Sequence, residues 1–163
     1  LPNNMSTVFN AKLYLIPSPL LVSSKDVVDA IRNEASVVEI SRMVQLSSMS
    51  VVGIGGIENN ATVIKSGILS QSDFLYLKMK GAVGDILCHF IDKDGNLVET
   101  NIEDRLISTP LSTLRSLNNV IGVAAGEHKV EAIKAVLRGG YIDILITDES
   151  TAIKLLEKSQ EPY

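Results

Sequence analysis

Ser50-Val-Val-Gly-Ile-Gly-Gly-Ile57 is the stretch on which the fold turns, a β-branched run that ends in glycines. Apolar residues in succession, without polar alternation, mark a strand buried on both faces of a parallel sheet, and the glycines open its carboxyl end into a loop. Val120-Ile-Gly-Val-Ala124, leading to Gly126, has the same character, and Tyr141 to Thr147 supplies another strand. Helices are predicted between and after them. Ser70 or Ser72 starts one over Asp73 to Met79 that stops at Gly81, and Glu127 to Leu137 has helix-forming composition up to Gly139-Gly140. Asp148 or Ser150 caps a last helix through Leu156, and the polar tail from Lys158 is expected to fray. Strands alternating with helices predict an α/β domain with a mostly parallel sheet and helices on both faces.

Working outward, Leu13 to Ile16 reads as a short buried strand closed by Pro17 and Pro19. Ser23 or Ser24 caps a helix from about Lys25, and a helical stretch interrupted near Ser36 carries Val27, Val28, Ile31, Val38 and Ile40. The period changes in the middle of the chain. His89-Phe-Ile-Asp92 and Asn96-Leu-Val-Glu99 flank Asp94-Gly95, which predicts an antiparallel hairpin, and Pro110 begins a short helical turn.

Composition narrows the function classes. With 163 residues and 45% hydrophobic content the chain is one domain, 1–163, with material for one core. A net charge of −4 argues against a surface made for phosphate backbones, so direct nucleic-acid binding by this piece is not expected. Its apolar runs fall far short of the ~20 residues a bilayer span requires. The start, Leu1-Pro-Asn-Asn4, has no initiating Met and no basic region followed by an apolar stretch, and reads as part of a longer or processed protein without a signal peptide. One cysteine, Cys88, and two distant histidines form no metal-ligand spacing; a reducing cytoplasm fits, and no metal or cofactor is expected.

Ligands of open α/β sheets sit at the carboxyl ends of the strands, where Gly53 to Gly56, Gly126 to Lys129 and Thr147-Asp148 all fall. Gly126-Glu-His-Lys129 turns a strand into a helix, so free N–H groups and the Lys129 ammonium could hold a phosphate; equally, Gly126 makes the turn and Lys129 is solvated. Gly53, Gly55 and Gly56 permit close backbone approach to a ligand but lack the spacing of a dinucleotide or nucleotide loop. Gly81-Ala-Val-Gly84-Asp85 is similar: Gly84 brings backbone near a sugar and Asp85 accepts from its hydroxyls, or caps a turn. Cys88 and His89 are neighbours on a strand and face opposite ways, which favours structural roles over a nucleophile pair. His128 in a first helical turn and Arg105, with a surface ion pair to Glu103 or Asp104 as its default, are secondary candidates.

Several segments together resemble the sugar-binding domain of the SorC family of bacterial transcriptional regulators. They are Val51 to Ile57, Gly81-Ala-Val-Gly-Asp85 with Phe90-Ile-Asp92 and Gly95, Val123-Ala-Ala-Gly126 with Lys129 and Ala132-Ile133, and Leu145-Ile-Thr-Asp-Glu149 with Thr151-Ala152. The resemblance runs from about Leu13 to Leu156. It implies a Rossmann-like sheet related to sugar-phosphate isomerases and deaminases, and a phosphorylated sugar or sugar alcohol as inducer bound at the strand-end rim, with Lys129 at the phosphate or its neighbour and Asp85 at a sugar hydroxyl. It also implies operator DNA read by a separate helix-turn-helix domain and a homo-oligomer, dimer or tetramer. In the family an earlier strand and a Gly-rich phosphate loop precede the segment matching Leu13 to Pro17, and this chain starts after them. The competing readings are a sugar-phosphate isomerase or deaminase, for which Asp85 and His89 would have to converge as an acid–base pair, and an oligomerisation domain with a degenerate pocket.

Overall fold

Glycines decide how closely the elements of this domain approach one another, most of all around Ser50–Gly56, the central strand β1. The computed structural model describes residues 2–57 and 62–157; the tail expected to fray lies outside them. A helix α1 (Pro2–Val8) precedes α2 (Lys25–Arg32) and α3 (Ala35–Gln45). After β1 come α4 (Thr62–Lys65), α5 (Gln71–Met79), β2 (Ala82–Ile86), β3 (His89–Asp92), α6 (Leu111–Ser116), β4 (Val120–Val123), α7 (Val130–Arg138), β5 (Ile144–Ile146) and α8 (Glu149–Leu156). The sheet order is β3-β2-β1-β4-β5. β1, β4 and β5 pair in parallel, while β2 runs antiparallel to both β1 and β3, so four of the five strands point the same way.

Local chemistry explains the ends of the helices. Ser24 caps α2 by accepting from the Val27 N–H, and Ser70 caps α5 in a reciprocal box with Asp73. The break expected near Ser36 falls at Asn33-Glu34, where the Asn33 side-chain amide donates to the Asp29 carbonyl and closes α2. Leu13 to Ile16 is not a strand. Leu15 is exposed, and no ladder partner for the segment lies among the described residues.

The predicted hairpin also changes. β3 pairs chiefly with β2, through a two-residue turn at Leu87-Cys88, and Asn96 to Val98 adds only a bridge between Ile91 and Leu97 with two flanking backbone bonds. The turn at Gly95 forms as expected, with φ of +85°. It is seated on the end of α7, where Tyr141 donates its hydroxyl to the Gly95 carbonyl and Arg138 donates to the Lys93 carbonyl. The sequence hid β2 because Gly81, Gly84 and Asp85 are poor strand formers taken alone.

Tertiary packing rescues that strand. α7 buries Ala132, Ile133, Ala135 and Val136 against β2 and β1, forming the main core with Val52, Ile54, Ile86 and Ile91. A second cluster, with Leu77, Phe90 and Ile102, fills the other side of the hairpin under α5. Helices thus lie on both faces of β2 and β3. Over the parallel half, one face carries Val51, Val123, Ile144 and Ile146 exposed.

Gly84 sits where α7 crosses β2, and a Cβ there would stand 2.3 Å from the Ala132 Cβ and 2.8 Å from the Gly55 carbonyl oxygen. Gly84→Ala should therefore lower unfolding free energy by about 1–3 kcal/mol, the cost of overpacking a fitted core. Gly53→Ala, whose Cβ meets nothing within 4 Å, should change it by less than about 0.5 kcal/mol. Denaturant titration of both variants decides; equal losses would remove the close helix–strand approach as the cause.

Candidate ligand-binding site

Three segments separated in sequence converge where β1 and β4 end. The carboxyl end of β1, the Leu87-Cys88 turn and the 127–129 turn before α7 line an open cavity of about 800 Å³. Gly53, Gly55, Gly56, Asp85 and Lys129 all face it. Ser66, Leu87, Cys88, Val123 and His128 complete much of the wall. The Ser66-Gly67 pair, with Gly67 at φ +71°, was the one local signal for the far wall; Val123 and Leu87 carried none.

Antiparallel pairing sets Gly55 directly opposite Asp85. A Cβ at position 55 would collide with the Asp85 carboxylate, so glycine there makes room for it. The Leu87-Cys88 turn bends with φ of +54° and +64°, a backbone region that non-glycine residues occupy at a cost of roughly 1–3 kcal/mol each. Two bonds hold it: the Cys88 N–H donates to Asp85 Oδ2 at 3.2 Å, and the Ser108 hydroxyl donates to the Leu87 carbonyl at 2.8 Å. On the opposite side, Lys129 Nζ donates to the Ile54 carbonyl at 3.0 Å, placing the ammonium over the end of β1.

Loss of solvation pushes the Asp85 carboxyl upward from its ordinary range, while the Cys88 N–H, the Lys129 ammonium and His89 pull it back. Enclosure also pushes the Cys88 thiol up to about 11, and the Asp85 charge adds to it, so the sulfur is a poor nucleophile at neutral pH. Cys88 lines this cavity and His89 a different one; Cys88 stands in the turn and not on a strand as expected, so the bend of the turn separates the two side chains rather than strand alternation.

Gly84 and Gly126 do not face the cavity. Gly84 lies on the α7 side of β2, because side chains alternate and Asp85 points the other way. Gly126 has φ of +111°, and its N–H is already engaged by Asp148 Oδ2 at 3.0 Å and Thr151 Oγ1 at 2.8 Å. The N–H expected for an anion serves instead to tie β4 to the start of α8. Asp148 is accordingly a structural residue, capping α8 through the Thr151 N–H at 2.7 Å. Thr147 Oγ1 is buried with no hydrogen-bond partner among the described residues, outside the cavity wall. Arg105 stands in the 103–105 turn, away from the cavity. Among the described residues no cluster of three His, Cys, Asp or Glu side chains is placed to hold a metal ion, and no helix is long and apolar enough to cross a membrane.

A strand-end cavity with bare glycine backbone, one ammonium and one enclosed carboxylate defines a small-molecule-binding α/β domain. Residues 1–157 match the family model Sugar-bind, described as "Putative sugar-binding domain", and the chain belongs to this family. It is 41% identical over 145 residues to the transcriptional regulator LsrR of Klebsiella pneumoniae subsp. pneumoniae, covering 87% of this chain and 45% of that protein. The LsrR of Escherichia coli K12/DH10B is 44% identical over 146 residues, covering 87% and 46%. The chain therefore spans about half the length of these curated relatives. Among solved structures, a transcriptional regulator from Streptococcus pneumoniae TIGR4 superposes with a TM-score of 0.89 at 29% identity, covering 98% of this chain and 61% of that one. The full-length sorbitol operon regulator SorC from Klebsiella pneumoniae superposes with a TM-score of 0.85 at 27% identity, covering 95% and 50%.

Asp148 yields a pH prediction. The Thr151 N–H and hydroxyl, with the Ser150 hydroxyl, hold its carboxyl down to about 2, against an ordinary 3.8. A carboxyl depressed by folding contributes stability above its unfolded value and loses that contribution as pH falls through the folded one. Between pH 6 and 2 the wild type should lose more stability than Asp148→Asn, measured by urea midpoints at each pH. Parallel curves would show that this cap does not drive the acid arm.

Proposed function

We propose that this is the effector-sensing domain of a transcriptional regulator, and that its effector is a small phosphorylated sugar or sugar alcohol. One observation carries the reading: Lys129 and Asp85 share a cavity at the carboxyl ends of β1 and β4 whose floor is glycine backbone. An ammonium offers a point charge to a phosphate, and an enclosed carboxylate accepts from hydroxyls, so the two ends of a sugar phosphate find opposite chemistry. The volume, about 800 Å³, lies within the ~300–1,000 Å³ typical of small-molecule clefts. Gly53 and Gly55 keep side chains out of the ligand's way.

The regulatory half of the proposal draws on the relatives. Those matched are named transcriptional regulators, and this chain spans about half of each. DNA reading then belongs to a separate helix-turn-helix domain of the intact protein, which works as a homo-oligomer in the cytoplasm. Ligand acts by binding one arrangement of subunits better than another and so shifting their population. Binding without turnover is favoured over isomerase or deaminase chemistry because the acid–base pair considered for it, Asp85 with His89, does not converge. Asp85 faces the ligand cavity, whereas the His89 ring lines a separate one with Glu103.

Thermal-shift titration with sugar phosphates and their unphosphorylated partners tests this directly, because a ligand that binds the folded state raises its melting temperature. Stabilisation should depend on the phosphate and leave the sugar unchanged; product formation would overturn the sensor reading in favour of the enzyme. Lys129→Met should weaken the phosphorylated ligand by about 10- to 100-fold, the scale of one charged hydrogen bond, and barely affect the unphosphorylated one. Equal weakening of both would remove Lys129 from the phosphate.

A further inference from the structure

His89 is 2% exposed, and both of its ring nitrogens face acceptors. Nδ1 lies 2.8 and 3.1 Å from the two carboxylate oxygens of Glu103, and Nε2 lies 2.9 Å from the Thr109 carbonyl oxygen. A neutral imidazole has one N–H and one lone pair. The Thr109 carbonyl can only accept, so the Nε2 proton is required there, and a second proton must then lie between Nδ1 and Glu103. Two features put it on the ring. The Glu103 side chain is 24% exposed and keeps access to water, and the Arg32 guanidinium lines the same cavity; both favour a charged carboxylate.

We infer that His89 is a buried imidazolium, locked to Glu103 and Thr109, and that it is a positioning residue for the ligand cavity on the other side of the sheet. The ligand role rests on the sugar-phosphate reading of that cavity; the protonated ring does not. His89 opens β3 directly after the strained Leu87-Cys88 turn. Its ring ties this point to the 103–105 turn and to the residue before Pro110, while Ser108 grips the Leu87 carbonyl. The segment 103–109 therefore holds the turn from behind at three places. From the front, the same turn presents the Cys88 N–H to Asp85.

The ring charge acts on Asp85 as well as its geometry. Glu103 from the 103–105 turn, Asp85 from β2, Arg32 from α2 and Arg115 and Tyr141 from the cavity wall are the titratable and charged groups around the ring, with Lys129 beyond Asp85. Of these only the Glu103 carboxylate is bonded to it. The ring's charge acts with the Cys88 N–H and the Lys129 ammonium against the desolvation that raises the Asp85 carboxyl, and is the smallest of the three.

Nitrogen-15 NMR of the His89 ring in the 163-residue protein at pH 7 is the test. The expected result is protons on both ring nitrogens with imidazolium shifts; a single ring proton would overturn the inference. Glu103→Gln preserves the shape and offers an amide, so its ring should lose the Nδ1 proton. The coupling to the cavity is read without any ligand, by carbon-13 titration of the Asp85 carboxyl. Its midpoint should move upward in both Glu103→Gln and His89→Gln, and an unmoved midpoint in folded Glu103→Gln would refute the positioning role. If His89→Gln does not fold, Glu103→Gln decides alone. Because neither measurement involves a sugar, failure of the effector assignment and failure of this inference are separate outcomes.

Discussion

The antiparallel contact between the end of β1 and β2 is the constraint on which the rest depends. At Gly55 opposite Asp85, two strands meet with a side chain on one of them only, and the carboxylate takes the space a Cβ would need. One residue along, Gly84 lets α7 descend onto the same strand until Ala132 touches it. Core packing and cavity chemistry are thus set by neighbouring residues of β2 that point to opposite faces. A bulkier residue at either glycine would separate the sheet from α7 or push Asp85 out of the cavity.

That arrangement places a carboxyl where solvation is poor, and the surrounding groups offset part of the cost. The Cys88 N–H and the Lys129 ammonium act on Asp85 from two sides, and the turn that supplies the N–H is held in an unfavourable backbone region by Ser108 and by the bonds of His89. Strain of this kind persists only where neighbouring structure over-determines it. The 103–109 segment has that role here, linking the second cavity, beside Arg32 and Glu103, to the wall of the first.

The parallel half of the sheet leaves one apolar face exposed. Val51, Ile121 and Ile144 share one register row, and Gly53, Val123 and Ile146 share the next. Gly53 and Val123 also line the ligand cavity, so the apolar face and the ligand site are continuous. A molecule held in the cavity would therefore stand beside that apolar face.

Periodicity and punctuation in the sequence determined β1, β4, the helices after them and the turn at Gly95, because each depends on local propensity: β-branched runs, Ser and Asp caps, and glycines where φ is positive. The same signals located Gly53, Gly55, Gly56 and Lys129 at strand ends on one rim, whereas Asp85 was legible only as part of a glycine segment and joins them because β2 pairs with β1. Tertiary structure alone decided β2, whose glycines look like loop until α7 and β1 close on them, and the Leu87-Cys88 turn, whose backbone no local residue preference favours. It also decided that Gly126 spends its N–H on Asp148 and Thr151 rather than on a ligand, and that Leu13 to Ile16 is no strand among the described residues. Strand formation and hydrogen-bond allocation are settled by partners distant in sequence, and their identity is written only in the packed chain.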